Sequence, residues 1–369
     1  MGRDRPAEAA AGRVEGVTAR VLALPREAGT AEAAEARRLL SEHLRALGFA
    51  VEVQRFSFST GSLSAYPILG AGLGWLGVIM VPLLLMGQVP AWAAVAVWTV
   101  GLLALGIVVT GVAMGWAPAR GEQREDANLI ARRPGASVTR WIVAHVDTKA
   151  QRQSMAGRLV TVAITLLAVI LLSVLAAGRV LGPASVFAVA MAAGVALAAG
   201  VLLGRARLSG RTVGARDNGS GLVALLQAAE RAGPETGFLL TGAEEFGLVG
   251  ARIVAQQLPE LVRGTDVINL DTLDDQGAIA VVAHNGPGRV LAESLRIALA
   301  PLGVPVRRRR LPPGILVDSL PLARAGARAV TIARLDWSTL RMMHTARDAV
   351  AGLAFRTARE VGSILRASR

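Results

Sequence analysis

Five short segments of the sequence follow predicted strands and carry side chains that can bind a metal ion or transfer a proton. They are 144–147 (AHVD), 215–218 (ARDN), 243–245 (AEE), 269–271 (NLD) and 343–345 (MHT). Each segment alone has an ordinary structural interpretation, such as an edge histidine, a helix N-cap or a solvated turn. Imidazoles and carboxylates are, however, the nitrogen and oxygen ligands that zinc prefers. Together the five segments therefore predict a hydrolytic zinc site.

The charges of these side chains fit a pair of zinc ions. Two Zn²⁺ ions carry four positive charges, and the carboxylates of Asp217, Glu245 and Asp271 supply three negative ones. One bridging hydroxide supplies the fourth negative charge, so the cluster becomes neutral. Glu244 is then left outside the metal ligands, where its carboxylate can serve as a general base.

Asp147 is predicted to support a metal ligand rather than to bind the metal itself. It stands two residues after His145 on a strand, and residues at that spacing project to the same side. A histidine that binds a metal usually donates its other ring N–H to a carboxylate or a carbonyl. We therefore expect Asp147 to orient the imidazole of His145.

The elements that must position these residues alternate between strand and helix. Periodicity predicts helices at 31–47, 221–232, 250–257 and 289–302, with a last one starting at Asp348. It predicts strands at 51–58, 127–131, 141–144, 237–241, 266–270, 278–283 and 329–332. The basic run 307–310 is expected to be a solvated or lipid-facing loop. This alternation predicts an α/β fold with a mixed, mostly parallel sheet and helices on both faces.

Four apolar runs contain no charged residue: 66–86, 91–115, 159–178 and 186–204. Each has the length of about 20 residues that crosses a bilayer as a helix. The whole chain is 53% hydrophobic and only 18% charged, against about 25% charged in ordinary domains. These numbers exclude intrinsic disorder, and the absence of cysteine excludes disulfides and thiolate ligands. The runs predict two transmembrane hairpins.

The hairpins would interrupt one soluble domain. Residues 1–65 are predicted to form its N-terminal part, 66–116 the first hairpin, and 117–156 the part with the first metal ligand. Residues 157–204 would form the second hairpin and 205–369 the part with the remaining ligands. Small residues predict close helix contacts inside the membrane, at Gly70 and Gly74 and at Ala190, Gly194 and Ala198.

Basic residues indicate how the chain is oriented. Those close to the spans on the side away from the hairpin tips are Arg55, Arg120, Arg124, Arg132, Arg133, Lys149, Arg152, Arg158, Arg205, Arg207 and Arg211. At the tips stands Arg179. Positive residues accumulate on the cytoplasmic side, so both termini and the catalytic domain are predicted to be cytoplasmic. A lipid bilayer then accounts for much of the net charge of +13 without nucleic acid, and the oligomeric state stays open.

The motifs AHVD, ARDNGSG, GAEEFGLVG, INLD and HT, in this order, resemble a known family. The family that these motifs resemble is that of the co-catalytic zinc exopeptidases of the aminopeptidase Y and bacterial leucyl aminopeptidase type, in peptidase clan MH. The similarity covers almost the whole soluble part, including 41–58 (SEHLRALGFAVEVQRFSF) and 128–131 (NLIA). It implies a zinc aminopeptidase-like α/β fold in a membrane-anchored member of the family.

Position by position, the resemblance implies two zinc ions per chain. The ligands divide into two sets that share a bridging Asp217: His145 with Asp271, and Glu245 with His344. Glu244 matches the general base of the family, and Asp147 matches the aspartate that supports a ligand. One departure is the segment 318–322 (DSLPL), where relatives often have an Asp-His pair before Pro-Phe.

The predicted activity is hydrolysis of peptide bonds by a membrane-integral zinc aminopeptidase. One alternative is an aminoacyl cyclase, an acyltransferase with a single zinc ion, and metal stoichiometry separates the two. Another is a non-catalytic membrane scaffold, which predicts loss of the ligand residues, whereas they are all present. A transporter would carry ionisable residues inside its spans, and these spans carry none.

Overall fold

The structure is a computed structural model, and it describes residues 5–114, 117, 120–312 and 314–367. The chain divides into two compact units. The sheet unit consists of Met1–Phe58, Gln123–Ala150 and Gly210–Arg369, and the helical unit of Ser59–Glu122 and Gln151–Ser209.

The secondary structure of the described residues follows most of the predicted elements. The helices are α1 (Arg5–Leu22), α2 (Ala31–Ala46), α3 (Ala65–Leu85), α4 (Ala91–Ala113), α5 (Met155–Gly178), α6 (Val186–Gly204), α7 (Gly221–Ala229), α8 (Val249–Gln257), α9 (Pro259–Val262), α10 (Gly288–Leu299), α11 (Ser319–Arg324), α12 (Trp337–Met342) and α13 (Arg356–Ala367). The strands are β1 (Ala50–Ser59), β2 (Gln123–Arg132), β3 (Arg140–His145), β4 (Thr236–Thr241), β5 (Asp266–Leu273), β6 (Ala278–Ala283), β7 (Val306–Arg309) and β8 (Arg328–Leu335).

The strands of the described residues form one eight-stranded sheet in the order β1-β2-β4-β3-β5-β8-β6-β7. Pairing is parallel for β4 with β3, β3 with β5, β5 with β8 and β6 with β7. It is antiparallel for β2 with β4 and for β6 with β8. The predicted mixed, mostly parallel sheet is therefore confirmed.

Helices cover both faces of this sheet. Along β3, Ile142 and Ala144 belong to one buried apolar cluster, which also contains residues of α2, α7, α10 and α13. Trp141 and Val143, which alternate with them, belong to a second cluster with residues of α8 and α11. Successive strand residues point to opposite faces, so each face has its own apolar core.

The last helix begins at Arg356, so the predicted start at Asp348 is wrong. Asp275 accepts the backbone N–H groups of Arg356 and Thr357, at 3.3 and 2.8 Å, and so satisfies the free donors of the first turn. Before that point the chain turns, with a positive φ of 76° at Gly352. The residue that fixes the helix start is 81 positions earlier in the sequence.

The sequence predicts a loop for the basic run 307–310, and this prediction is wrong for most of the run. Residues 306–309 form β7 at the edge of the sheet, parallel to β6. Charged side chains on an edge strand reach solvent and discourage pairing with another chain. Strand pairing uses backbone groups alone, so a run of arginines can form a strand. Its side chains show no alternation of apolar and polar residues, and the strand therefore could not be predicted from the sequence.

The helical unit contains α3 to α6, with α3 and α5 each packed against α4 and α6. All four are long and apolar enough to cross a membrane. The predicted contact at Gly70 and Gly74 is confirmed, since a Cβ at Gly70 would lie 2.6 Å from the carbonyl oxygen of Gly200. The predicted contact at Ala190, Gly194 and Ala198 is wrong, because these residues lie on the exposed face of α6.

Candidate metal centre

Three neighbouring parallel strands bring most of the predicted site residues to one edge of the sheet. His145 is the last residue of β3, and Asp147 follows it. Glu244 and Glu245 lie in the helical turn directly after β4, and Asp271 lies near the end of β5. Because β4, β3 and β5 are adjacent and parallel, their carboxyl ends meet at the same place.

Asp217 lies between two histidines. Its Oδ1 atom is 3.2 Å from Nε2 of His145, and its Oδ2 atom is 3.1 Å from Nε2 of His344. Nε2 of His344 is also 3.2 Å from Oε1 of Glu245. Two sets of ligand atoms, each within 4.8 Å of one another, result: His145, Asp217 and Asp271, and Asp217, Glu245 and His344. These are the two sets that the sequence predicted.

The residues present fit zinc. With zinc bonds of about 2.0–2.1 Å, neighbouring ligand atoms of a tetrahedral site are about 3.3 Å apart. The distances of 3.1 to 3.2 Å around Asp217 agree with this spacing. Oε1 of Glu245 is buried, and its 3.2 Å contact with Nε2 of His344 lacks the geometry of a hydrogen bond. A buried carboxylate oxygen of this kind is the expected state of a metal ligand, since burial without a partner is otherwise unfavourable.

The imidazole of His145 is oriented by Asp147, but through the backbone. Nδ1 of His145 lies 3.0 Å from the carbonyl oxygen of Asp147 and 3.8 Å from its carboxylate. A proton on Nδ1 leaves the lone pair of Nε2 free for a metal ion. The carboxylate of Asp147 accepts instead the backbone N–H groups of Glu244 and Glu245, at 3.0 and 3.1 Å. Asp147 therefore fixes the turn that carries both glutamates.

The turn of Asp217 is attached to β5 by two side chains. Nδ2 of Asn218 donates to the carbonyl of Leu270 at 2.8 Å, and Oγ of Ser220 accepts the N–H of Leu273 at 2.7 Å. A Cβ at Gly214 would lie 2.2 Å from the backbone oxygen of Asp217, so only glycine fits there. These contacts hold the shared ligand against the strand that carries Asp271.

Burial and the close packing of carboxylates shift the acidity of the site. Burial, with the neighbouring carboxylates of Glu245, Asp318 and Asp271, raises the pKa of Glu244 well above its usual value. Burial likewise raises the pKa of Asp271 to about 7. Burial would also raise the pKa of Asp217, but its contacts with His145 and His344 outweigh that effect and lower it. The site therefore concentrates negative charge that divalent cations would stabilise.

Three residues that have no predicted role in the site adjoin it. Arg26 is fully buried and donates to the carbonyls of Val146 and Val213, at 2.8 and 2.7 Å. Asp318 is buried, accepts the hydroxyl of Thr241, and acts on the pKa of Glu244. Lys149 pairs with Glu245 at 2.6 Å. Two of them stand out in the sequence: Lys149 as the sole lysine, four residues after His145, and Asp318 as the first residue of the segment 318–322.

The fold is similar to that of known enzymes at low sequence identity. An aminopeptidase from Aneurinibacillus sp. strain AM-1 matches with 14% identity and a TM-score of 0.56, over 96% of this chain and 92% of that one. A zinc aminopeptidase from Bacillus subtilis matches with 13% identity and a TM-score of 0.53, over 96% and 94%. A glutaminyl cyclase from Fimbriiglobus ruber matches with 16% identity and a TM-score of 0.54, over 97% and 92%.

At the level of sequence, no curated protein matches the chain significantly. The model of one family, described as Peptidase family M28, matches residues 128–368. The matched segment contains His145, Asp217, Glu245, Asp271 and His344, together with Glu244 and Asp147.

Proposed function

The chain belongs to peptidase family M28 as a metallo-aminopeptidase-like hydrolase, and we propose that it is a membrane-anchored aminopeptidase that uses two zinc ions. One observation carries this proposal: the two oxygens of Asp217 face Nε2 of His145 and Nε2 of His344, at 3.2 and 3.1 Å. A carboxylate between two such nitrogens suits a ligand shared by two metal ions.

In this mechanism His145, Asp217 and Asp271 would hold one ion, and Asp217, Glu245 and His344 would hold the other. Zinc, when bound, lowers the pKa of a coordinated water and polarises the carbonyl of the peptide bond. Bound ions would relieve the electrostatic repulsion among the buried carboxylates. The roles of the protein side chains are then to hold the ligands in place and to transfer protons.

Glu244 is the proposed general base. Its carboxylate takes a proton from the attacking water and returns it to the nitrogen of the leaving amine as the C–N bond breaks. Burial raises the pKa of this carboxyl, which favours proton uptake. Asp147 holds the backbone of Glu244 through a 3.0 Å hydrogen bond, so the carboxylate keeps its position during the reaction.

The charge of the site favours a free N-terminus over a free C-terminus. The carboxylates of Asp271 and Asp318 lie close enough to raise the pKa of Glu244 beyond the effect of burial. With the ligand cluster neutralised by two zinc ions and a hydroxide, Glu244 and Asp318 remain as carboxylates outside the ligand set, and they attract an α-ammonium group and repel an α-carboxylate. This supports aminopeptidase rather than carboxypeptidase activity.

The membrane part of the proposal rests on α3 to α6, which are long and apolar enough to span. The basic residues beside the four spans favour a cytoplasmic catalytic unit and cytoplasmic termini. The substrate would then be a peptide that reaches the enzyme from the cytoplasm.

A panel of aminoacyl–fluorophore substrates tests the proposal. We expect the purified full chain in detergent to release the fluorophore, to lose this activity with a chelator, and to regain it when zinc is added back. Turnover that persists after complete removal of zinc would contradict the proposed chemistry.

A second candidate is an aminoacyl cyclase with one zinc ion, which the fold shared with a glutaminyl cyclase supports. A peptide with N-terminal glutamine separates the two reactions, because cyclisation releases ammonia and hydrolysis releases the amino acid. Elemental analysis adds the metal stoichiometry, for which two zinc ions per chain favour the peptidase and one favours the cyclase.

A further inference from the structure

Lys149 makes two contacts with one predicted zinc ligand. Its Nζ atom lies 2.6 Å from Oε2 of Glu245 and donates to the backbone oxygen of the same residue at 3.1 Å. Lys149 is only 4% exposed, so this ion pair is shielded from solvent. A buried ammonium group is costly unless it is paired, which indicates that the pair with Glu245 is a stable feature of the site.

The two oxygens of Glu245 consequently have different surroundings. Oε2 is bound to the ammonium group of Lys149, whereas Oε1 faces Nε2 of His344 at 3.2 Å. The contact of Oε1 with His344 lacks the geometry of a hydrogen bond. One oxygen is thus occupied by a cation of the protein, and the other is directed toward the predicted metal position.

We propose that Lys149 is a positioning residue that restricts Glu245 to binding zinc through Oε1 alone. A carboxylate can bind a cation through one oxygen or through both. Occupation of the second oxygen by Lys149 prevents the second mode, and this leaves a coordination position open. A catalytic zinc site needs such a position for water or substrate. The inference rests on the proposed function, because it assumes that Glu245 binds a metal ion.

A purely structural role for Lys149 would have different consequences. If Lys149 served only to neutralise a buried carboxylate, its loss would lower stability without changing metal coordination. The chain contains a matched ion pair of that kind, Arg37 with Asp126, in which Arg37 is largely buried and Asp126 fully so. Neither residue is a predicted ligand, so Arg37→Met serves as the control.

The test uses the full chain in detergent, loaded with Co²⁺, whose visible spectrum reports coordination number. We expect Lys149→Met to lose band intensity relative to the wild type, because Glu245 then binds through both oxygens and the coordination number rises. Lys149→Arg retains a cation at Oε2 and should keep the wild-type spectrum, as should Arg37→Met. An unchanged spectrum in Lys149→Met would overturn the proposal.

The sole lysine supplies a second measurement that needs no variant. Carbon-13 lysine labels Lys149 alone, and we expect its side-chain signal to shift when paramagnetic Co²⁺ binds nearby. Cobalt that binds without moving this signal would overturn the role of Lys149 and leave the metal site intact. A chain that binds neither Co²⁺ nor Zn²⁺ would instead overturn the proposed function itself.

Discussion

Asp348 accepts the backbone N–H of Asp217 on its Oδ2 atom at 3.1 Å, although 131 residues separate the two in the sequence. Its Oδ1 atom accepts the N–H of Arg216 at 2.8 Å. The two bonds act on the backbone of the proposed bridging ligand and of the residue before it, so they fix the backbone from which its carboxylate projects. Asp348 therefore positions Asp217 rather than starting a helix.

Loss of this support should weaken zinc binding. We expect Asp348→Asn to lower zinc affinity by about 10- to 100-fold, the range for partners that orient a metal ligand. Titration against a competing chelator measures the change. Asp275→Asn is the matched control, because Asp275 also accepts two successive backbone N–H groups but at the start of α13. Equal affinities in the two variants would contradict the role of Asp348.

Replacing the proposed general base should separate catalysis from metal binding. We expect Glu244→Gln to retain zinc and to lose kcat by a factor of about 10² or more, because the amide cannot accept the proton of water. Elemental analysis and initial rates with an aminoacyl substrate measure the two quantities. The exposed Glu235, replaced by Gln, should keep wild-type rates. Undiminished turnover in Glu244→Gln would remove Glu244 from this role.

Arg26 should be needed for the stability of the site loops. Its guanidinium donates to the carbonyls of Val146, Val213 and Gly214, which adjoin His145 and the turn of Asp217. The carbonyl of Gly214 keeps a hydrogen bond from the N–H of Gly219, but Arg26→Met leaves those of Val146 and Val213 unpaired, at about 1–3 kcal/mol each, so we expect at least about 2 kcal/mol lower stability. Thermal unfolding measures it, with the exposed Arg20→Met as the control. A melting temperature equal to that of the control would refute this account.

Two glycines of the helical unit should respond differently to the same change. A Cβ at Gly70 would lie 2.6 Å from the carbonyl oxygen of Gly200, so we expect Gly70→Ala to destabilise the unit by about 1–3 kcal/mol. At Gly194 no atom lies within 4 Å of an added Cβ. Gly194→Ala should therefore be neutral or stabilise by up to about 1 kcal/mol. Unfolding in detergent measures the stability of both variants. A larger loss of stability in Gly194→Ala than in Gly70→Ala would disprove the α3–α6 contact.

His284 should make stability depend on pH in a defined window. Burial lowers its pKa from 6.5 to about 4, so between these values the unfolded chain binds a proton that the folded chain does not. Stability is then lost as the pH falls from about 6.5 to 4, by at most about 3 kcal/mol from this group. His284→Gln removes this contribution, and the difference from the wild type at each pH cancels other titrations. A difference in stability between the wild type and His284→Gln that stays constant from pH 6.5 to 4 would show that His284 does not have this lowered pKa in the folded chain.

Much of the fold could be predicted because its signals are local. The alternation along 51–58 and the apolar runs at 66–86 and 186–204 each reflect the residues of one element. The segments 144–147, 243–245 and 269–271 were recognisable for the same reason, since polar residues at strand ends contrast with the apolar strands before them. These patterns depend on side-chain periodicity and backbone preferences, which act over a few residues.

Only the tertiary structure decided how distant segments support one another. The placement of β4 between β2 and β3, the start of α13 and the edge strand β7 all depend on partners far along the chain. The same holds for the contacts of Arg26, Lys149 and Asp348 with the site. A buried charge or backbone group needs a partner, but its sequence neighbourhood does not say which one. Sequence thus determined which side chains can bind zinc, and packing decided what holds them there.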